Sequence, residues 1–371
     1  MRLVKIVHIT EALGGGVAHS ISQLARVQAA DGIEVMVAHS IRPDTPDPEK
    51  LADLFPAPIR RRIIPMVTAV SPFADISSII TIARFLREIE PDVVHLHSSK
   101  AGALGRMAAM FTGYGRRTFY SPRGFAFLRQ DVSPAKRMLY LFFEAIAARS
   151  GGTLVACSNS EGALARQKVR HPDVVVVDNA VEVGSIPPAQ GSARIKMRIV
   201  TSGRVCYPKA PWHFRELARA LKDEAVEFVW IGSGELEQEL AFSAHEQINL
   251  TITGWLDRDS AIRELAHSDI YVQTSLWEGM PLSLIEAQVT GLPAVVSDVP
   301  GCRDIVVDGV TGYVCKGVAE MKEKVLCLIL DQALRERMGR EARALALVRF
   351  SSARMHREMI RAYFGNRGTP A

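Results

Sequence analysis

Glu278 and Glu286 flank a segment whose residue types suit the handling of a sugar diphosphate. Pro281 fits the first position of a helix, and Gly291 with Pro293 marks its end. That places Glu278 in the loop ahead of the helix and Glu286 in its second turn. The main chain from Gly279 through Met280 and Pro281 to Leu282 would turn free N–H groups toward a diphosphate. The two carboxylates could accept hydrogen bonds from sugar or ribose hydroxyls. Spacing alone does not single them out, because Glu216/Glu224 and Glu227/Glu235 are also eight apart. The distinguishing context is the Gly-x-Pro helix start after a buried strand.

Arg204 and Lys209 lie in SGRVCYPKA, after the first strand of the chain's second half. Two cations there could clamp phosphoryl oxygens, each contact worth about 1.5–3 kcal/mol; as loop charges they could equally face solvent. IGSGE, with Gly232 and Gly234, and TGW, ending at Trp255, close the next two strands and would line the same cleft. In the first half, TEALGGGVAHS runs from a strand into a helix, so Gly15 and Gly16 could bring amides to an anion, or form a plain flexible turn. The spacing is not G-x-G-x-x-G, and no acid ends the second strand, which speaks against a dinucleotide cofactor. Asp257-Arg258-Asp259 has the form of a metal-nucleotide D-x-D, yet Asp259 reads better as a helix N-cap. His95 and His97 share one strand face without an evident third ligand. No metal or other cofactor is expected.

These residues need loops at strand ends, and the pattern supplies them. Strand and helix signals alternate: Leu3–Ile9, Val17–Asp31, Glu34–His39, Ile76–Glu90, Val93–His97, Thr153–Cys157, Val174–Val177. Such alternation implies βαβ crossovers and a parallel sheet covered on both faces. Val183–Lys196 has the Pro, Gly and Ser of a linker, after which the pattern restarts with RIVTSGR, a helix near Pro211–Leu221, and EFVWIGSGE. Leu250–Ile252, IYVQT, a helix Pro281–Thr290 and AVVSD follow. The expected fold is α/β, with two doubly wound domains, residues 1–183 and 196–350, and ligands at the carboxyl ends of the strands. A last amphipathic helix spans Ser351–Phe364.

With 371 residues, 48% hydrophobic and 23% charged, the chain can fill two cores and is not disordered. Its five cysteines form no CxxC pair, which fits a reducing compartment and argues against structural zinc. The N-terminus reads as a strand rather than a signal peptide, and LYLFFEAIAA is too short to span a bilayer. A net charge of +5 does not call for nucleic acid. Its distribution is uneven: Lys100, Arg106, Arg116, Arg117, Arg123, Arg129, Lys136 and Arg137 share Ser98–Phe143 with one acid, Asp131. That bias suggests phosphates or an anionic lipid surface as partner.

Taken in order, the Gly loop, HLHSSKAGALGR, YSPRGF, SGRVCYPK, IGSGE, TGW and EGMPLSLIEA resemble a retaining family 4 glycosyltransferase of the GT-B architecture, two Rossmann-like domains facing across a cleft. HLHSSKAG and YSPRGF resemble enzymes of bacterial exopolysaccharide, capsule or lipopolysaccharide synthesis. The resemblance implies an N-terminal acceptor domain, a C-terminal donor domain, and a terminal helix that crosses back to the first. It implies that Arg204, Lys209 and the amides of Gly279–Leu282 bind the donor diphosphate, with Gly15 and Gly16 against it from the other domain. Glu286 would hold the ribose and Glu278 would contact the transferred sugar as a catalytic group. It further implies a nucleotide-sugar donor, UDP before GDP, a polyprenyl-diphosphate-linked glycan acceptor, no metal, and a cytoplasmic enzyme peripheral on the inner membrane face. One departure concerns the second catalytic candidate, Arg123, which stands where the family commonly has His. Arg supplies charge and donors but no base near neutral pH. That leaves open a nucleotide-sugar-binding regulator without turnover; an epimerase or phosphorylase on the same architecture is the other alternative.

Overall fold

The computed structural model describes residues 3–67, 69, 71–190, 196–241 and 249–365. They form two compact units, one running to Ala180 and resuming at Ser352, the other Val181–Ser351.

The first unit is built on seven strands: β1 (Lys5–Thr10), β2 (Glu34–His39), β3 (Arg60–Ile63), β4 (Val93–His97), β5 (Thr118–Ser121), β6 (Thr153–Ala156) and β7 (Val174–Val176). Their order is β3-β2-β1-β4-β5-β6-β7, and every pairing is parallel. Helices cover both faces, so β4 is buried along its whole length and reads as continuous Val-Val-His-Leu-His rather than as an alternation. The chain winds outward from β1, then returns to β4 beside it, which puts the topological switch point between those strands. The first helix is Gly15–Ala30, two residues earlier than expected, so Gly15 and Gly16 form its first turn after an N-cap at Gly14. The expected helix at Ile76 starts at Pro72. Strand β3 was not anticipated: its sequence Arg-Arg-Arg-Ile is exposed throughout and carries no apolar pattern.

The second unit has β8 (Met197–Ser202), β9 (Val226–Ile231), β10 (Leu250–Ile252), β11 (Ile270–Gln273), β12 (Ala294–Ser297) and β13 (Gly312–Cys315). The order β10-β9-β8-β11-β12-β13 is again all parallel, and its switch point lies between β8 and β11. Trp230, Phe228 and Phe214 anchor its core. Of the expected linker, residues 191–195 lie outside the described residues. The part before them is fastened to this unit: Ala189 N donates to Thr290 O (2.7 Å) and Gln190 N to Ala266 O (2.8 Å). Val181 N donates to Phe350 O (2.9 Å), so the division falls ahead of the Pro/Gly-rich stretch. Among the described residues no helix is long and apolar enough to cross a membrane.

Candidate functional site

At the switch point of the second unit, the loop leaving β8 is stitched to the loop leaving β11. Leu276 N donates to Pro208 O (2.8 Å), and Thr274 Oγ1 to Lys209 O (2.9 Å). This brings Lys209 Nζ to 2.8 Å from Glu278 Oε1, both side chains largely buried. Ser275 Oγ (2.7 Å) and Gln273 Nε2 (2.9 Å) donate to the same oxygen. Gln273 is oriented by the Tyr271 hydroxyl, which donates to its Oε1 (2.9 Å) and which burial pushes up to about 12. Burial works against the charge of Lys209, but the Glu278 carboxylate outweighs it and the ammonium is held above its ordinary range. The two turns therefore share one locale.

Directly beyond Glu278 the chain enters the helix Leu282–Thr290. Pro281 is its N-cap, one residue outside the expected first position, because its ψ of 123° is extended. The helix starts with neither a side-chain cap nor an acid in its first turn, a type of start whose N–H groups can serve an anion. Met280 is buried beneath that start. Arg204 is more open, 54% exposed, with Glu235 at 3.9 Å. Gly232 and Gly234 serve close packing: a Cβ on either would overlap Gly203 O or Val205 O, so they seat the loop after β9 on the Arg204 loop. Trp255 is exposed after β10. Glu286 accepts from Arg258 Nε at 3.1 Å; burial raises its pKa and Arg258 opposes that rise. Sequence reasoning passed over Arg258, since its partner is a helix away. The N-cap of the Arg258–Ala266 helix is Asp257, not Asp259, and Asp257 holds Ser260 N and Oγ at 2.8 Å each. Both Asp257 oxygens are thus engaged in capping rather than placed for a cation.

In the first unit Gly15 and Gly16 open the helix beside the switch point, with no atom within 4 Å of where a Cβ would stand. Arg123, in the loop after β5, has a left-handed φ of 56°, a conformation that costs a side-chain-bearing residue about 1–2 kcal/mol. Its surroundings hold it there. Nε donates to His97 Nδ1 (3.2 Å), Nη1 to Asn179 Oδ1 (3.2 Å) and Ser20 Oγ, and Gly124 N to the buried Glu161 carboxylate (2.7 Å). Because Arg123 donates, His97 must present a lone pair at Nδ1 and carry its proton on Nε2. That proton points at His8 Nδ1 (3.0 Å), so His8 carries its own on Nε2 and gives it to Gln28 Oε1 (2.8 Å). His95 completes the group: Ser121 Oγ, already donating to Val155 O, accepts from His95 Nε2 (2.9 Å), and Tyr363 OH donates to Nδ1 (2.6 Å).

His8 is the third histidine that reading one strand could not find; it pairs with His95 across β1 and β4. The trio nevertheless fits a hydrogen-bond chain better than a metal centre. All six ring nitrogens are engaged, and a guanidinium abuts one of them. Burial first, then a neighbouring histidine ring and after it the charge of Arg123, lowers the pKa of His95 and His97; His8 falls to about 4.

The basic segment is only partly internal, and some of its charges are paired. Arg106 is buried against Glu144 (3.1 Å), Lys100 pairs with Asp75 (2.7 Å), Arg129 pairs with Asp131 and Arg123 turns inward. Arg116, Arg117 and Lys136 are exposed and Arg137 is half-buried.

Two family descriptions match the chain: "Glycosyl transferase 4-like domain" over residues 15–180 and "Glycosyl transferases group 1" over residues 186–345. The Escherichia coli UDP-Gal:alpha-D-GlcNAc-diphosphoundecaprenol alpha-1,3-galactosyltransferase is 30% identical over 284 residues, 71% of this chain and 72% of that protein. The chain belongs to the group 1, family-4-like glycosyltransferases. A Campylobacter jejuni relative, named as an N,N'-diacetylbacillosaminyl-diphospho-undecaprenol alpha-1,3-N-acetylgalactosaminyltransferase, is 33% identical over 147 residues, 38% of each chain. The crystal structure of Anabaena HepE with UDP and glucose superposes with a TM-score of 0.77 at 16% identity, covering 96% of this glycosyltransferase and 98% of HepE. The shared fold is the GT-B architecture expected from the sequence.

Proposed function

We propose that this glycosyltransferase is a retaining hexosyltransferase that moves a sugar from a nucleotide diphosphate, UDP before GDP, to a polyprenyl-diphosphate-linked glycan of a bacterial surface polysaccharide. The observation that carries the reading is the Lys209–Glu278 pair at the uncapped start of the Leu282–Thr290 helix, at a switch point. There Arg204, Lys209 and the amides of Gly279–Leu282 hold the donor diphosphate. Glu286, kept oriented by Arg258, takes the ribose hydroxyls, and Glu278 takes the sugar. Gly15 and Gly16 offer further amides to anionic groups, Gly232, Gly234 and Trp255 complete the donor surroundings, and Arg123 supplies positive charge. The donor bond from anomeric carbon to phosphate oxygen breaks while the acceptor oxygen bonds the same carbon on the same face. The acceptor's proton passes to the departing diphosphate, so no protein base is required and Arg123 can replace a histidine. UDP is favoured because the E. coli relative is named for UDP-Gal and HepE holds UDP; the lipid-linked acceptor follows the names of both relatives.

The enzyme would work at the inner face of the plasma membrane. Exposed Lys136 shares the helix Pro134–Ala147 with an apolar stripe formed by Met138, Leu139, Phe142, Phe143 and Ile146, and Arg116 and Arg117 are exposed on the same unit. The decisive experiment measures donor affinity by thermal shift across UDP- and GDP-sugars, then products with a lipid-linked acceptor. Arg204→Ala and Lys209→Ala should each weaken donor binding about tenfold, the loss of one charge-assisted contact. Wild-type affinity in the double variant would reject the clamp. Donor binding with no transfer to any acceptor would favour the regulatory reading, motivated by Arg123; an epimerised donor or a sugar 1-phosphate would indicate the other chemistries.

A further inference from the structure

We infer that His97 is a positioning residue for Arg123, aiming one edge of the guanidinium at an anionic group of bound substrate. This deepens the transferase reading and rests on it. Three observations converge. Arg123 adopts a backbone conformation that favours glycine, and Glu161 clamps the next amide, so this loop is held in one unusual shape. Its Nε and Nη1 are spent on His97, Ser20 and Asn179. Nη2 has no partner among the described residues and is absent from the buried polar atoms left unsatisfied, so it is the donor open to a ligand.

Of the three anchors, only His97 must hold a particular tautomer. Gln28 and His8 set it from behind: Gln28 Oε1 can only accept, which orients His8, and His8 then takes the Nε2 proton of His97. A hydroxyl or amide can turn to suit a shifted guanidinium, whereas an imidazole packed in a sheet cannot. Placement of Nη2 is therefore written into residues of β1, β4 and the Gly15–Ala30 helix that never touch substrate.

The test uses the full chain with a UDP-sugar and a lipid-linked acceptor. His97→Leu removes the lone pair; His97→Asn keeps an acceptor close to the Nδ1 position. His97→Leu should lower kcat about ten- to a hundredfold, the range for a misplaced charge, with donor KM little changed. His97→Asn should recover most of the loss. In an Arg123→Ala background, His97→Leu should cost nothing more, because its effect passes through Arg123. Additive losses, or an Asn variant as poor as Leu, would overturn the assignment, as would Arg123→Ala transferring at the wild-type rate, which leaves the donor site untouched. A readout without turnover separates this from failure of the transferase reading. Ring ¹⁵N spectra should show His97 protonated on Nε2, with an Nδ1 signal that moves in Arg123→Ala. An Nδ1-protonated or doubly protonated His97 would sink the proposal even in a protein that transfers sugar normally.

Discussion

Lys209 and Glu278 offset one another, so on the proposed reading a donor would meet a nearly neutral pair at an uncapped helix start rather than a bare cation. That arrangement keeps a buried charge from standing unpaired before substrate arrives. His8, His95 and His97 of the first unit follow the opposite logic, since burial disfavours their charged forms. His8 takes a proton only near pH 4 when folded, against about 6.5 in the unfolded chain. Between those values the unfolded chain binds more protons, so stability contributed by the neutral ring is complete above pH 6.5 and declines as pH falls toward 4. His95 and His97 shift in the same direction. At pH 5 the His8 share alone is on the order of 2 kcal/mol. Thermal unfolding of the first unit should therefore start at least about 4 °C lower at pH 5 than at pH 7.5. A midpoint unmoved across that interval would mean the rings take up protons in the fold as readily as in the unfolded chain.

The helix Pro134–Ala147 is inverted at the level of the element. Its buried polar residue is Glu144, tied to Arg106 and to the Tyr120 hydroxyl (2.7 Å), while Met138, Leu139, Phe142, Phe143 and Ile146 point outward. The adjoining helix Ser99–Thr112 adds exposed Met107, Met110 and Phe111. Exposed apolar residues on a unit that also exposes Arg116, Arg117 and Lys136 have the composition the proposed contact with a lipid interface needs. Phe142→Ser with Phe143→Ser should abolish sedimentation with vesicles containing phosphatidylglycerol at any salt. Arg116→Glu with Arg117→Glu should weaken it chiefly at low salt, each cation being worth about 1 kcal/mol near such a surface. Unchanged partitioning in both variants would remove the membrane from the proposal and leave transfer intact. The sequence showed the bias of this segment but not its division, because Glu144, which neutralises Arg106, lies 38 residues away. The same limit hid His8 from His97 and Arg258 from Glu286, pairs made by sheet register and helix packing. Long apolar strands such as β4 were legible because both their faces are covered; β3 was not, because neither face is.

Across the whole molecule, the chain leaves the first unit after Ala180 and comes back at Ser352. The returning helix Ser352–Phe364 places Met355, Met359 and Ile360 in the core beneath the Gly15–Ala30 helix, and Tyr363 on His95. Its position was implied by resemblance alone, since an amphipathic stretch does not name the face it covers. Fully burying such side chains is worth about 1.5–3 kcal/mol each, so three together approach the 5–15 kcal/mol that keeps a domain folded. A chain ending at Ser351 should then lose cooperative unfolding of the first unit and expose apolar surface to a hydrophobic dye. The second unit, Val181–Ser351, keeps its own sheet and core and should still bind a UDP-sugar, weakened only by whatever the first unit contributes. Tyr363→Phe separates the two roles of the helix: it keeps the burial and removes the donor to His95, so the fold should persist while the His95 ring loses its fixed tautomer. If the truncated chain instead unfolds with a sharp, unshifted first-unit transition, the terminal helix is decoration on a core that was complete without it.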